Sequence, residues 1–284
     1  MDVPEELTSM LDGDHGPTKQ KAARLVVDLA STAGATEFIR VSHAHVSGVS
    51  VITGGHGLRR FLADLSGDPN GKVAITTTLN SAGCDHEKMD EMDIDYPDFL
   101  EQQFEIVQSY SELGIDATLS CTPYDRGEES REGIGSWAES NAVCFSNSYT
   151  SLITNRESGL SALATALTGW APRWGLHLAK NRVPNILVHV ECEMDNMTDW
   201  SILGDWIGKQ IQPEWKLPWG PMPRIIGLPN GTFEMKKALT AAAANYGCPM
   251  LWADGLTKEA PTMENIQGTL YFKKSDLHGR YRDL

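Results

Sequence analysis

The sequence predicts an α/β fold with mainly parallel sheet. Short β-branched runs alternate with helix-like segments along the whole chain. The 284 residues are 41% hydrophobic and 22% charged, the balance of a globular chain that buries a sizeable core. That length suits one large domain or two modest ones.

The first helix expected is "PTKQKAARLVVDLASTAGA". Thr18 is a possible N-cap, Ala22, Leu25, Val26 and Leu29 form one apolar stripe, and Gly34 lies at the stop. "EFIRVSHAHVSG" reads as a strand running into a polar turn, and "KVAITTTLN" as a β-branched strand with a polar end. "PDFLEQQFEIVQSYSELG" is a helix stopped at Gly114, and "DATLSC" is a strand entering "TPY". "GLSALATALTG" is a helix between glycines, "NILVHVEC" a strand, and "RIIGLP" a shorter strand-like run. "TFEMKKALTAAAANYG" has strong helix propensity and ends at Gly247. "PMLWADG" is a strand, "PTMENIQ" a short helix and "TLYFKK" a closing strand. The proline-rich "QPEWKLPWGPMPR", residues 212–224, reads either as a subdomain junction or as a loop over a site.

The net charge of −14 disfavours nucleic acid and anionic membranes as partners and suits a solvated surface. No apolar run is long enough to span a bilayer, and the acidic "MDVPEELTSMLDGDHG" lacks the apolar stretch of a signal peptide. Cys84, Cys121, Cys144, Cys192 and Cys248 are odd in number, widely spaced and without a C-x-x-C pair. A disulfide framework and a zinc ribbon are therefore not expected, and a reducing cytoplasm is. The common glycine-rich nucleotide, P-loop, zinc-protease and serine-hydrolase signatures are absent.

In parallel α/β sheets the ligand crevice lies beyond the carboxyl ends of the strands. Here those ends carry His43 and His45, then Thr78 and Asn80, then Cys121 and Tyr124. His43 and His45, two apart, share a strand face; they read as a metal pair, or as one structural ring and one general base or hydrogen-bond donor. Cys121 reads as an iron ligand, a nucleophile or a small buried residue. Glu139 reads as a general acid or base, or as a first-turn helix carboxylate. Arg156 reads as an anion-binding fork or a surface ion pair. Residues 135–156, "GSWAESNAVCFSNSYTSLITNR", mix amides and hydroxyls with apolar filling. Within them "ESNAVCFSNSY", residues 139–149, is expected to form a buried turn, with Ala142, Val143 and Phe145 in the core and Cys144 as filler. A metal-dependent hydrolase built on His43, His45, His56 and Asp85 is a further alternative.

Seven segments, in order, resemble the large, catalytic subunit of the aconitase X family, whose known members are dehydratases. They are "LTSMLDGDHGPTKQKAARLVVDLA", "AHVSG", "TTTLNSAGCD", "LSCTPY", "WAESNAVCFSNSYTSLITNR", "ALTGWAPRWGLHLAKNR" and "DGLTKEAPT". The resemblance implies an aconitase-like fold of several α/β subdomains, lacking the family's small swivel domain. It implies a hydro-lyase that removes water from a small anionic hydroxy acid, with an iron–sulfur cluster or mononuclear iron as Lewis acid. Carried over by motif, Cys121 matches a cluster ligand. His45, Glu139 and Ser140 match proton-transfer and orienting positions, and Asn80, Tyr124, Asn141, Asn147, Ser148 and Arg156 match substrate-binding positions.

Trp252 and Lys258 in "WADGLTKEAPT" and the stretch "SYTSLITNR" depart from the family pattern, so a different substrate pocket is expected. A family segment with a "GCPH" cysteine would follow this sequence. The expectation is therefore a cytoplasmic, heteromeric enzyme whose swivel domain and remaining cluster cysteines sit on partner chains. The alternatives are a non-catalytic structural subunit and a related lyase or isomerase without the cluster.

Overall fold

The computed structural model describes residues 1–85, 88, 91–92, 98–126, 132–215, 217–263 and 265–283. The chain divides into two units. Unit one is Met1–Arg126, Gly133–Glu139 and Arg156–Trp174; unit two is Gly127–Glu132, Ser140–Asn155 and Gly175–Leu284. Residues 212–224 lie inside unit two.

Unit one begins with α1 (Glu5–Asp12) and α2 (Pro17–Ala33). Pro17 takes the first helical position, where a missing N–H costs nothing. Thr18 is therefore not the cap. It sits inside the helix, where its Oγ1 donates to the Leu65 carbonyl at 2.9 Å and its N–H to Asp68 Oδ2 at 2.9 Å. The strand expected across 37–48 is two strands, β1 (Phe38–Arg40) and β2 (His43–Val46). Between them the Val41 and Ser42 N–H groups bond Gly169 and Ile134, which moves the chain from one sheet to another.

Next come α3 (Val51–Ser66), β3 (Thr76–Leu79), α4 (Phe99–Glu112) and β4 (Glu132–Trp137). Past α5 (Ser140–Tyr149) and β5 (Ser151–Arg156), α6 (Gly159–Thr168) and β6 (Trp170–Pro172) complete unit one. β6 pairs antiparallel with β1. The central strand is β2, parallel to β3 on one side and β4 on the other. The register aligns Thr78, His45 and Trp137 across the three strands. Leu7, Met10, Val26, Leu62, Leu79, Phe99, Ile106 and Leu163 fill the core between this sheet and its helices.

The expected strand "DATLSC" is reduced to a single bridge between Asp116 and Thr78. The Leu79 N–H donates to the Asp116 carbonyl at 3.0 Å and its carbonyl accepts from the Ser120 N–H at 3.3 Å, with the Thr118 hydroxyl added to both groups. Leu119 between them has φ +47°, outside the strand region, which ends the extended run. The helix expected from Pro97 is α4; Pro97 itself lies outside the described residues.

Unit two holds β7 (Ile186–Val190), α7 (Met197–Gln210), β8 (Pro223–Ile226), α8 (Phe233–Ala244), β9 (Trp252–Ala253), β10 (Gly268–Phe272) and α9 (Lys274–Asp283). Its sheet runs β10-β7-β8-β9, all parallel. Trp200, Leu203 and Ile207 of α7 and Leu239 of α8 are sealed against Val188, Ile225 and Phe272. α7 and α8 pack closely because residue 204 is glycine: a Cβ there would lie 2.5 Å from the Leu239 carbonyl. The expected helix "PTMENIQ" is absent among the described residues 261–263 and 265–267. There the Gln267 N–H bonds the Asn185 carbonyl at 2.8 Å and leads extended chain directly into β10. No helix among the described residues is long and apolar enough to cross a membrane.

Candidate active site

Three of the expected residues of unit one, His45, Asn80 and Glu139, meet at the carboxyl end of β2. Asn80 donates its backbone N–H to Val46 O at 2.8 Å, and Ala138 donates its own to His45 O at 3.0 Å. The turns leaving β3 and β4 are thereby pinned on either side of β2. Across that end the Asn80 Nδ2 donates to Glu139 Oε2 at 3.0 Å. Parallel register is what brings residues 59 positions apart into this bond.

His45 lies beneath. Its Nδ1 hydrogen-bonds Thr78 Oγ1 at 2.8 Å, and its ring tilts against Trp137 with centroids 5.9 Å apart. The residue is 0% exposed. Burial pushes its imidazole down to about 4, with the Asn80 side chain partly opposing. His45 is therefore neutral at physiological pH, a polar orienting group and a weak base. Its Nε2 and the Asn80 Oδ1 are both enclosed without a well-formed hydrogen bond, so the cluster keeps polar capacity beyond what the described residues satisfy.

His43 serves the sheet instead. Its Nδ1 accepts from Trp137 Nε1 at 2.8 Å, as a structural ring does. His56 and Asp85 do not join His43 and His45 in a cluster: among the described residues no three His, Cys, Asp or Glu side chains come together to hold a metal. Cys121 is half-buried after the bridge to β3, its Sγ 3.1 Å from Ser81 Oγ. One thiol does not make a ligand set, so the described residues of this chain do not by themselves fit an iron–sulfur cluster. Tyr124 is buried, 2% exposed.

The expected buried turn of residues 140–149 is the helix α5. Ala142, Val143, Cys144 and Phe145 are buried as expected, and Phe145 meets Phe233 edge-on at 5.3 Å. Asn147 and Ser148, expected to face a substrate, fasten backbone. Asn147 Oδ1 accepts from the Thr154 N–H at 2.9 Å, and its Nδ2 donates to the carbonyls of Thr154 at 2.9 Å and Pro249 at 3.0 Å. Ser148 Oγ donates to Cys144 O at 2.6 Å and accepts from the Leu251 N–H at 2.9 Å. Ser140 and Asn141 open α5, half-buried, and the Asn141 Oδ1 is enclosed without a hydrogen-bond partner among the described residues. Arg156 ends β5, exposed.

Residues 1–180 match the family model for the aconitase X first domain, and residues 184–279 match that for the aconitase X second domain. The chain belongs to the aconitase X family. Its fold superimposes on the crystal structure of Thermococcus kodakaraensis aconitase X in its holo-form with a TM-score of 0.85 and 33% identity, covering 100% of this chain and 69% of that one. It is 35% identical over 271 residues to the phosphomevalonate dehydratase large subunit of Methanosarcina mazei, covering 93% of this chain and 64% of that protein. It is 30% identical over 289 residues to the cis-3-hydroxy-L-proline dehydratase of Pseudomonas aeruginosa, covering 97% of this chain and 48% of that protein. The chain thus spans just under two thirds of the length of the large subunit it matches. Aconitase X motifs in the sequence pointed to His45, Asn80 and Glu139. Thr78 was marked only as a strand-end residue and Trp137 only as the first residue of a motif; their bonds to His45 and His43 depend on a three-strand register that the fold reveals.

Proposed function

We propose that the chain is the large-subunit part of an aconitase X-type hydro-lyase acting on a small anionic hydroxy acid. The observation behind this reading is the carboxyl group of Glu139, held by the Asn80 amide at the carboxyl edge of a parallel sheet. Relatives of the chain are named as dehydratases of phosphomevalonate and of cis-3-hydroxy-L-proline. In this reading Glu139 takes the proton from the carbon next to the hydroxyl-bearing one. Asn80 fixes the carboxylate, and His45, neutral and enclosed, orients Asn80 from below. Ser140, which follows Glu139 in the chain, and Asn141 contribute polar contacts to the substrate, Tyr124 shapes the wall, and Arg156 binds its anionic group.

Partner chains belong to the same proposal: a small swivel-type subunit and one bearing the remaining cluster cysteines, with Cys121 as this chain's contribution. An iron centre would act as a Lewis acid on the departing hydroxyl.

Co-purification with neighbouring gene products under anaerobic conditions, iron analysis, and turnover of the two hydroxy acids test the proposal. The expected result is elimination of water from one of them and a loss of at least about 100-fold in Glu139→Gln. Full activity in Glu139→Gln refutes the assignment. Unchanged iron content and turnover in Cys121→Ala refute the role of that thiol.

A further inference from the structure

Glu157 stands between β5 and α6 and takes no part in the scheme above. Its N–H donates to the carbonyl of Trp137 at 2.9 Å, two residues before Glu139, so both glutamates leave the same edge of unit one. α6 begins against the loop that leaves β2, because a Cβ at Gly159 would lie 2.2 Å from the Ser47 carbonyl. Glu157, Glu139, Asn80 and His45 thus belong to adjoining strand ends. The Glu157 Oε2 accepts from Ser161 Oγ at 2.7 Å, and no cationic side chain among the described residues pairs with it.

Helix capping does not account for this carboxyl. Ser158 and Ser161 already form a reciprocal capping box at the start of α6. Burial raises the Glu157 carboxyl from its usual range, and the Ser161 hydroxyl holds it back only in part. A carboxyl raised in this way holds its proton more readily than an ordinary one and is suited to giving it away. The residue remains half-buried and not sealed, as a proton donor must.

We propose that Glu157 donates the proton that turns the departing hydroxyl into water, the counterpart of Glu139 as proton acceptor. This rests on the hydro-lyase reading. The Glu139 carboxylate takes the C–H proton, and that electron pair becomes the second bond between the two carbons. The C–O bond breaks with its pair on oxygen, and the Glu157 proton completes water. Protonated Glu139 and ionised Glu157 are reset through solvent, and no oxidant or reductant is needed.

The test uses the holo-complex with Glu157→Gln, which keeps the shape and the bond from Ser161 but has no acidic proton. kcat is expected to fall at least about 100-fold with KM changed less than about threefold. Infrared spectra at neutral pH should show a protonated-carboxyl band in wild type that Glu157→Gln removes. Ser161→Ala deletes the bond that favours the ionised form, so the alkaline limb of kcat/KM should move to higher pH. Other groups around that edge are Glu139 on the turn after β4, His43 and His45 on β2, and Arg156 in the adjoining position of the chain. Glu139→Gln leaves the infrared band in place. An active wild type with a Glu157→Gln variant within threefold of it overturns the proposal alone, as does a band that survives in Glu157→Gln. A wild-type complex inactive on both hydroxy acids overturns the hydro-lyase reading, and the proposal with it.

Discussion

Replacing Asn147 by alanine separates a fastening role from a substrate-binding one. The side chain is 9% exposed and makes three hydrogen bonds of 2.9 to 3.0 Å, to the N–H and carbonyl of Thr154 and to the carbonyl of Pro249. Thr154 is 0% exposed, so no water replaces the lost partner. An orphaned buried N–H costs about 1–3 kcal/mol, and each carbonyl bond contributes about 0.5–1.5 kcal/mol. The expected loss is therefore about 4 kcal/mol, large against the 5–15 kcal/mol that typically hold a domain. Asn147→Asp should do no better, since it sets an oxygen against two carbonyls. Urea titrations followed by tryptophan fluorescence, with the slope checked for constancy, measure the effect. A loss below about 1 kcal/mol together with a raised KM would show that the clamp reasoning is wrong and that Asn147 faces the substrate.

Other expectations follow from unit one. The His45 imidazole titrates at about 4 when folded against 6.5 when unfolded, so the unfolded chain binds more protons between these values. Stability is then complete above about pH 6.5 and falls by up to about 3 kcal/mol as pH drops toward 4; in His45→Gln this slope should flatten, as read from urea midpoints across that range. Asn80→Ala removes a charge-assisted bond of about 1.5–3 kcal/mol, so kcat/KM of the complex should fall about 10- to 100-fold with the fold retained by circular dichroism. Gly159→Ala puts a Cβ 2.2 Å from the Ser47 carbonyl and should destabilise by about 1–3 kcal/mol in calorimetry; an unchanged transition would show that the start of α6 can slide.

The parallel architecture was legible because β-branched runs ending in polar residues mark parallel strands well. Asn80 and Glu139 were singled out through their motifs. The bond between them was not, because it depends on the register of three strands. α5 misled for a physical reason. Its amides and hydroxyls imitate a binding surface, yet Asn147 and Ser148 spend their capacity on the backbone of Thr154, Cys144, Pro249 and Leu251. "DATLSC" has strand composition and keeps backbone bonds to β3 at Asp116 and Ser120, but the positive φ of Leu119 breaks the extended run between them. Glu157 gave no signal at all, since a glutamate before a serine-capped helix looks like ordinary capping.

The chain leaves unit one and returns to it, and Arg156–Trp174 belongs to unit one although Ser140–Asn155, in unit two, is synthesised first. A nascent chain released up to residue 155 lacks α6, whose Leu163 and Leu167 seal the first core, and lacks β6, the only partner of β1 among the described residues. That core therefore closes late, after part of the second unit has left the ribosome. Expression of a fragment ending before α6 should yield an aggregating chain and not a small soluble domain.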